Sequence, residues 1–211
     1  MYLSRIELDI GANTTRRAIS SPQILHAAIE ECFLNGIDKD RKLWRLDRLN
    51  DHLYLLLLSP KRPDFAQFYP QFCTGGVEAE SRDYMPLLTQ IQAGARFHFR
   101  LRANPTHSKQ KENGERGKVY AHVTVEQKRN WLIQKSMNCG FMLDEDLFDV
   151  VEMDSLRFWR SSKERPVQID TAVFEGELDV IDSGLFIQSL TQGIGRAKAY
   201  GCGLLTIARI R

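Results

Sequence analysis

Hydrophobic periodicity in this chain switches between two residues and 3.6 in the order β-α-β-β-α-β, and then runs through that order again. Residues Tyr2 to Ile10 alternate, with Ile6, Leu8 and Ile10 on one face and Arg5, Glu7 and Asp9 on the other, as in a half-buried strand. Ser21-Pro22 supplies an N-cap and a proline at the first helical position, where the missing N–H costs nothing. The turns that follow put Ile24, Leu25, Ala28, Ile29, Cys32 and Phe33 on one stripe, and Gly36 lies past the predicted helix end. Two strand-like runs, Lys42 to Leu49 and His52 to Ser59, are joined by the tight Asn50-Asp51 connection of a hairpin. A short helix is expected over Asp64 to Phe72 and a fourth strand over Val77 to Leu88.

The second pass begins with the strand Arg96 to Arg102. Thr124 then caps a helix to Asn138, with Gln127 completing a capping box and Gly140 beyond the end. Asp149 to Trp159 and Val167 to Val180 read as strands, Asp182 caps a helix carrying Leu185, Phe186 and Leu190, and Leu204 to Ile210 is the last strand. Two such units in succession predict an α+β protein of tandem ferredoxin-like (RRM-like) βαββαβ domains, 1–90 and 96–211, with the boundary near 89–95. The duplication is one of pattern, without an evident sequence repeat.

Several classes are excluded at this level. The longest uninterrupted apolar stretch, Leu53 to Leu58, is six residues, against roughly 18 for a bilayer span. The N-terminus carries Arg5, Glu7 and Asp9 where an export signal needs an apolar core, so a cytoplasmic protein is expected. Cys32, Cys73, Cys139 and Cys202 lie far apart and form neither a disulfide framework nor, with the five histidines, any paired metal-ligand spacing. No metal, cofactor or membrane is implied. The formal charge of +2 over 211 residues does not by itself point to a polyanion.

Segments say otherwise. In Arg96 to Arg102, Phe97, Phe99 and Leu101 share one face, while Arg96, His98, Arg100 and Arg102 share the other. Such a face suits either a phosphate backbone or plain solvent. The polar stretch to Lys118 adds Lys109, Lys111 and Arg116, so 96–118 holds seven Lys or Arg against two Glu, a net +5. Arg157, Arg160, Lys163 and Arg165 cluster at the turn between two predicted strands, with Glu164 the one acid among them. That tip can lie along phosphates or simply keep a turn soluble. Six acids between Asp144 and Asp154 hide these charges in the total.

Gly193-Ile194-Gly195-Arg196-Ala197-Lys198-Ala199-Tyr200-Gly201-Cys202-Gly203 is not a dinucleotide fingerprint. Lys198 stands where the third glycine belongs, and the stretch follows a helix instead of preceding one. Nor is it a P-loop. It can be a basic loop whose backbone approaches a ligand, with Arg196 and Lys198 for phosphate, or a sharp helix-to-strand turn built on Gly193, Gly195, Gly201 and Gly203. On the first predicted helix His26 falls on the flank of the apolar stripe, outside the core. Position alone leaves it open between a surface histidine and a catalyst.

The start Met1-Tyr2-Leu3-Ser4-Arg5, the run Phe99-Arg100-Leu101-Arg102-Ala103-Asn104-Pro105, and Gly193 to Lys198 continuing through Gly201-Cys202-Gly203-Leu204-Leu205 together resemble the CasE family along the whole chain. These are the CRISPR RNA-processing endoribonucleases of type I-E systems. The resemblance implies recognition of the stem-loop in the CRISPR repeat transcript and metal-independent cleavage 3′ of the stem. It also implies retention of the product crRNA with other Cascade subunits. By position, the family's catalytic histidine falls on His26, its groove-binding hairpin on Arg157 to Arg165, and its glycine-rich loop on Gly193 to Gly203. Some members carry a tyrosine one turn before the histidine; here Gln23 stands there.

The implied chemistry needs no metal. RNA supplies its own nucleophile, the 2′-OH, if the protein holds that oxygen in line with the phosphate. A histidine can take its proton or protonate the leaving 5′-oxygen, while Arg100 and Arg102 are candidates to stabilise charge on the phosphate. The product would be a 2′,3′-cyclic phosphate. Two alternatives remain open: an RNA-hairpin-binding subunit with little or no activity, and a single-strand binder using a sheet face. The second wants exposed aromatics, whereas Phe97 and Phe99 point away from the arginines.

Overall fold

A computed structural model describes residues 1–33, 40–73, 78–108, 118–159 and 165–210. Gly36, Lys109, Lys111, Arg116, Arg160 and Lys163 lie outside the described residues.

The first half builds an antiparallel sheet around β1 (Tyr2–Leu8), which buries Ile6 and Leu8 as its alternation requires. Helices α1 (Asn13–Ser20) and α2 (Pro22–Glu31) follow, then β2 (Leu43–Leu49) and β3 (His52–Ser59). Asn50 and Asp51 both take positive φ, 48° and 67°, the pair of left-handed residues that a two-residue hairpin turn demands. The expected helix over Asp64 to Phe72 shrinks to α3 (Tyr69–Phe72), because Asp64 accepts a bond from its own Ala66 N–H and holds the chain in a turn. The expected strand to Leu88 likewise splits. Strand β4 (Glu80–Asp83) ends where Asp83 accepts from the Met85 N–H and starts the short helix α4 (Met85–Leu88). The sheet order is β2-β3-β1-β4.

The second half begins with β5 (Arg96–Ala103) and a small hairpin of β6 (Thr106–Ser108) and β7 (Val119–Ala121). Next come α5 (Val125–Asn138), β8 (Phe141–Met142), β9 (Phe148–Phe158), β10 (Val167–Val180), α6 (Ser183–Gln192) and β11 (Leu205–Arg209). The Thr124–Gln127 capping box forms, and the Asp182 side chain accepts from the Leu185 N–H. This sheet runs β11-β5-β10, with β9 and β8 sharing the far edge of β10. The mixed α+β class read from the periodicity is the class observed. No helix among the described residues is long and apolar enough to cross a membrane.

Two apolar cores result, and they divide less cleanly than the chain does. One packs α1 and α2 on the first sheet through Leu25, Ile29, Leu55 and Phe68. The other gathers Phe99, Leu132, Phe174 and Leu190 from the second half, together with Leu43, Leu58, Tyr84 and Leu88 from the first. Between the halves lies Arg45, 2% exposed, which donates to the Arg100 carbonyl at 2.7 Å and to Thr206 Oγ1 at 2.8 Å. A bidentate pair with Asp47, both bonds 2.7 Å, neutralises its charge.

Candidate nucleic-acid interface

Helix α2 carries His26 on its flank because Leu25, Ala28 and Ile29 turn the stripe beside it into the core. The imidazole is about one third exposed, and its Nδ1 lies 3.9 Å from Glu30 Oε1, one turn on along the helix. The other carboxylate oxygen of Glu30 accepts from Lys42 Nζ at 2.9 Å. The Lys42 side chain is 4% exposed, and its ammonium sits 4.8 Å above the Phe33 ring. Glu30 is thus anchored at the start of β2 while it faces His26.

The glycine-rich stretch meets this helix from the other end of the chain. After α6 it turns through Gly193, forms a short 3₁₀ turn at Lys198–Tyr200, and packs on α2 and β2. A Cβ at Gly201, where φ is +77°, would stand 2.8 Å from Trp44 Cζ3, and one at Gly193 would stand 2.7 Å from Leu43 Cδ2. Those glycines let the loop lie tightly against β2. Lys198 Nζ donates to the Gln192 carbonyl at 2.6 Å, and burial together with neighbouring Arg41 pushes its pKa below the ordinary lysine value. Arg196 stays exposed.

Tyr200 closes the assembly. Its ring meets His26 edge-on at 6.5 Å between centroids (interplanar angle 71°) and meets Phe158 at 5.0 Å and 64°. Phe158 is paired with Val167 where β9 ends and β10 begins, and the basic stretch Arg157 to Arg165 joins the two strands. Arg157 and Arg165 bound that stretch and are exposed, and Arg157 stands 5.9 Å from the Trp159 ring centroid. His26, the glycine-rich loop and the root of the basic hairpin therefore converge. Lys118 lies immediately before β7, on a different element.

The basic face of β5 has a different surrounding from the one its alternation suggests. Along the register, Arg96, His98 and Arg100 oppose Asp179, Glu177 and Glu175 of β10. Arg96 makes a bidentate pair with Asp179 at 2.7 and 2.9 Å, and Arg100 pairs with Glu175 and, at 3.2 Å, with Asp47. Arg102 reaches Asp154 at 3.4 Å. Arg100 and Arg102 line a cleft of about 260 Å³ between the halves, with Ile19, Arg48 and Glu152 on its walls. Both guanidinium groups have carboxylate neighbours, which strand periodicity in one segment cannot reveal, while the buried Nε of Arg102 has no hydrogen-bond partner.

Sequence reasoning also passed over Tyr200, Glu30 and Lys42, and over Arg16 and Arg17 on α1. Those arginines line an open groove with Ser20 and Ser21 at the start of α2. The signal for Tyr200 was present: a large aromatic beside Gly201 in a loop of small residues has to pack on something. Among the described residues, no three His, Cys, Asp or Glu side chains gather as a metal site requires.

Comparison with known proteins places these elements in a family. A family model described as CRISPR associated protein matches residues 1–209. The CRISPR-associated endoribonuclease Cse3 of Thermus thermophilus is 26% identical over 227 aligned positions, covering 99% of this chain and all of that protein. The Cascade subunit CasE of Escherichia coli is 29% identical, covering 79% of this chain and 94% of its own length. The structure of Thermus thermophilus Cse3 bound to an RNA representing a pre-cleavage complex superposes with a TM-score of 0.79 at 25% identity, each chain 98% covered. With similarity running from end to end in both sequence and fold, the chain belongs to the Cse3/CasE family of CRISPR-associated proteins.

Proposed function

We propose that this protein is an endoribonuclease that cleaves CRISPR precursor RNA at the 3′ base of the repeat stem-loop and keeps the product crRNA within Cascade. The observation that carries this reading is the convergence of His26 with the glycine-rich loop and the root of the basic hairpin. Relatives named as a CRISPR endoribonuclease and as a Cascade subunit, each aligned over most of its length, support it. The two sheet orders support tandem ferredoxin-like units, 1–90 and 96–211. In each, the first and third strands are central, with the fourth beside the first and the second beside the third.

RNA binding on this reading is divided among exposed cations. Arg157 and Arg165 meet the stem's phosphates, Arg196 meets the strand at the loop, and Arg160 and Lys163, which lie outside the described residues, add their charge to the segment between Arg157 and Arg165. Arg100 and Arg102 brace the junction of the halves instead of meeting phosphate, since both are already paired. His26 exchanges a proton with the 2′-OH or the leaving 5′-oxygen, a contribution of roughly 10²–10⁴ in rate. Glu30, anchored by Lys42, orients the imidazole through Nδ1 and leaves Nε2 for the RNA. The 2′-OH attack yields a 2′,3′-cyclic phosphate without a metal.

The test is cleavage of repeat-hairpin RNA in EDTA, with a 2′-deoxy substitution at the scissile position as the control. Activity that persists in EDTA and vanishes on the deoxy substrate is the expected result; the reverse of either overturns the mechanism. Tight binding without cleavage would favour the binding-subunit alternative, which Gln23 keeps in play.

A further inference from the structure

We infer that Tyr200 is a positioning residue for the RNA cleavage, coupling the basic hairpin to His26 through its ring; this rests on the function proposed above. Three facts support it. The ring touches both partners at once, Phe158 at 5.0 Å and His26 at 6.5 Å, each in an edge arrangement. Such aromatic pairs favour particular orientations, so fixing one ring constrains the next. The partners come from elements with separate tasks: Phe158 is the last paired residue before the basic tip, and His26 sits on α2 in the first half. Finally, Tyr200 is itself held in place. Ala197 in the left-handed region (φ 59°) and Gly201 (φ 77°) bracket the 3₁₀ turn, and Gly201 is pressed on Trp44, so the ring has a stiff backing.

His26 receives its second constraint this way. Glu30 limits the imidazole from along the helix, and Tyr200 limits it from across the domain junction. A stem seated on the hairpin bears on Phe158, and the Tyr200 ring passes that geometry to the histidine. Gln23, one turn before His26, is no aromatic, and the aromatic neighbour of His26 comes from the glycine-rich loop.

The experiment measures single-turnover cleavage of a CRISPR repeat hairpin and, separately, affinity for the same hairpin with a 2′-deoxy scissile nucleotide. The variants are Tyr200→Leu, Tyr200→Phe and His26→Ala. Tyr200→Leu should slow cleavage by about 10- to 100-fold, the loss expected when a catalytic group moves by about an ångström, with affinity changed less than about threefold. Tyr200→Phe should restore the rate, since the ring is kept and it is the ring that meets His26 and Phe158. In parallel, the His26 Cε1–H resonance should move in Tyr200→Leu and stay put in Tyr200→Phe, a readout independent of turnover. Wild-type cleavage by Tyr200→Leu, a joint fall in rate and affinity, or a Phe variant as slow as the Leu variant each overturns the inference while leaving the endoribonuclease reading intact. Wild-type cleavage by His26→Ala overturns the His26 assignment and this inference with it.

Discussion

Arg45 Nη1 donates to the main-chain carbonyl of Leu204 at 3.0 Å, across 159 residues of sequence. The same guanidinium reaches the Arg100 carbonyl and Thr206 Oγ1, so one buried cation from the first sheet closes hydrogen bonds on two strands of the second. Removing it leaves two carbonyls, a hydroxyl and the Asp47 carboxylate short of their donor. Arg45→Ala should destabilise the protein by about 3–5 kcal/mol, the cost of breaking a buried, hydrogen-bonded charge, measured by urea unfolding. Its m-value should fall if the halves then unfold separately.

Exposed and committed arginines should separate in their salt dependence. Removing a cation that neutralises one RNA phosphate lowers the slope of log K against log salt by about 1. Arg157→Ala should do this for hairpin RNA, because its guanidinium is exposed beside the tip. Arg100→Ala should leave the slope unchanged and lower thermal stability instead, since Asp47 and Glu175 already hold that side chain. Equal slope changes from both would return the β5 face to the RNA-binding surface.

Gly201→Ala tests the seating of the loop. The added methyl would stand 2.8 Å from Trp44 in a left-handed backbone, so a loss of about 1–3 kcal/mol is expected. A cleavage defect should accompany it, because the displaced turn carries Tyr200. Calorimetry and the cleavage assay report the two effects on one sample.

Acid stability should depend on Asp179 and Asp149. Hydrogen bonding to Arg96 holds the Asp179 carboxyl below the usual value, and the Val150 N–H with Arg129 does the same for Asp149. A carboxylate whose folded pKa is lowered stabilises fully above its unfolded pKa, about 3.9. That contribution fades as pH falls through the lowered folded value. Asp179→Asn should therefore be less stable than wild type at neutral pH and should lose less on acidification below about pH 4. Urea midpoints across that range check the sign.

Burial pushes the thiols of Cys32 and Cys202 up to about 12, and Cys73 to about 11. Because only the thiolate alkylates, iodoacetamide at mildly alkaline pH should leave these three unlabelled in the folded protein and modify them after denaturation. Peptide mass mapping distinguishes the sites.

Much of this molecule could be read before it was seen, where local chemistry decides. The Asn50-Asp51 turn, the Thr124 capping box and the Asp182 cap are each fixed by residues within four positions of one another. Helix α1 leaves a weak trace in the sequence because its fully buried residues are the small Thr15 and Ala18, with Ile19 half-buried beside them, too little for a stripe. The ion pairs of Arg100 and Arg102 were illegible for another reason: the acids that engage them lie on β2, β9 and β10, and only the tertiary fold brings them together. His26 was legible as a flank residue, and its ring neighbour was not, because Tyr200 arrives from the opposite end of the chain.

The shared core sets an order on biosynthesis. Leu43 and Leu58 belong to the first sheet but are buried among second-half residues that include Leu204 and Leu205. A ribosome that has released only the first sheet has released an apolar face with nothing to cover it, and a histidine with no glycine-rich loop beside it. The first sheet made alone is thus an incomplete folding unit, prone to stick, because burial of its apolar face waits on second-half residues that the ribosome delivers later.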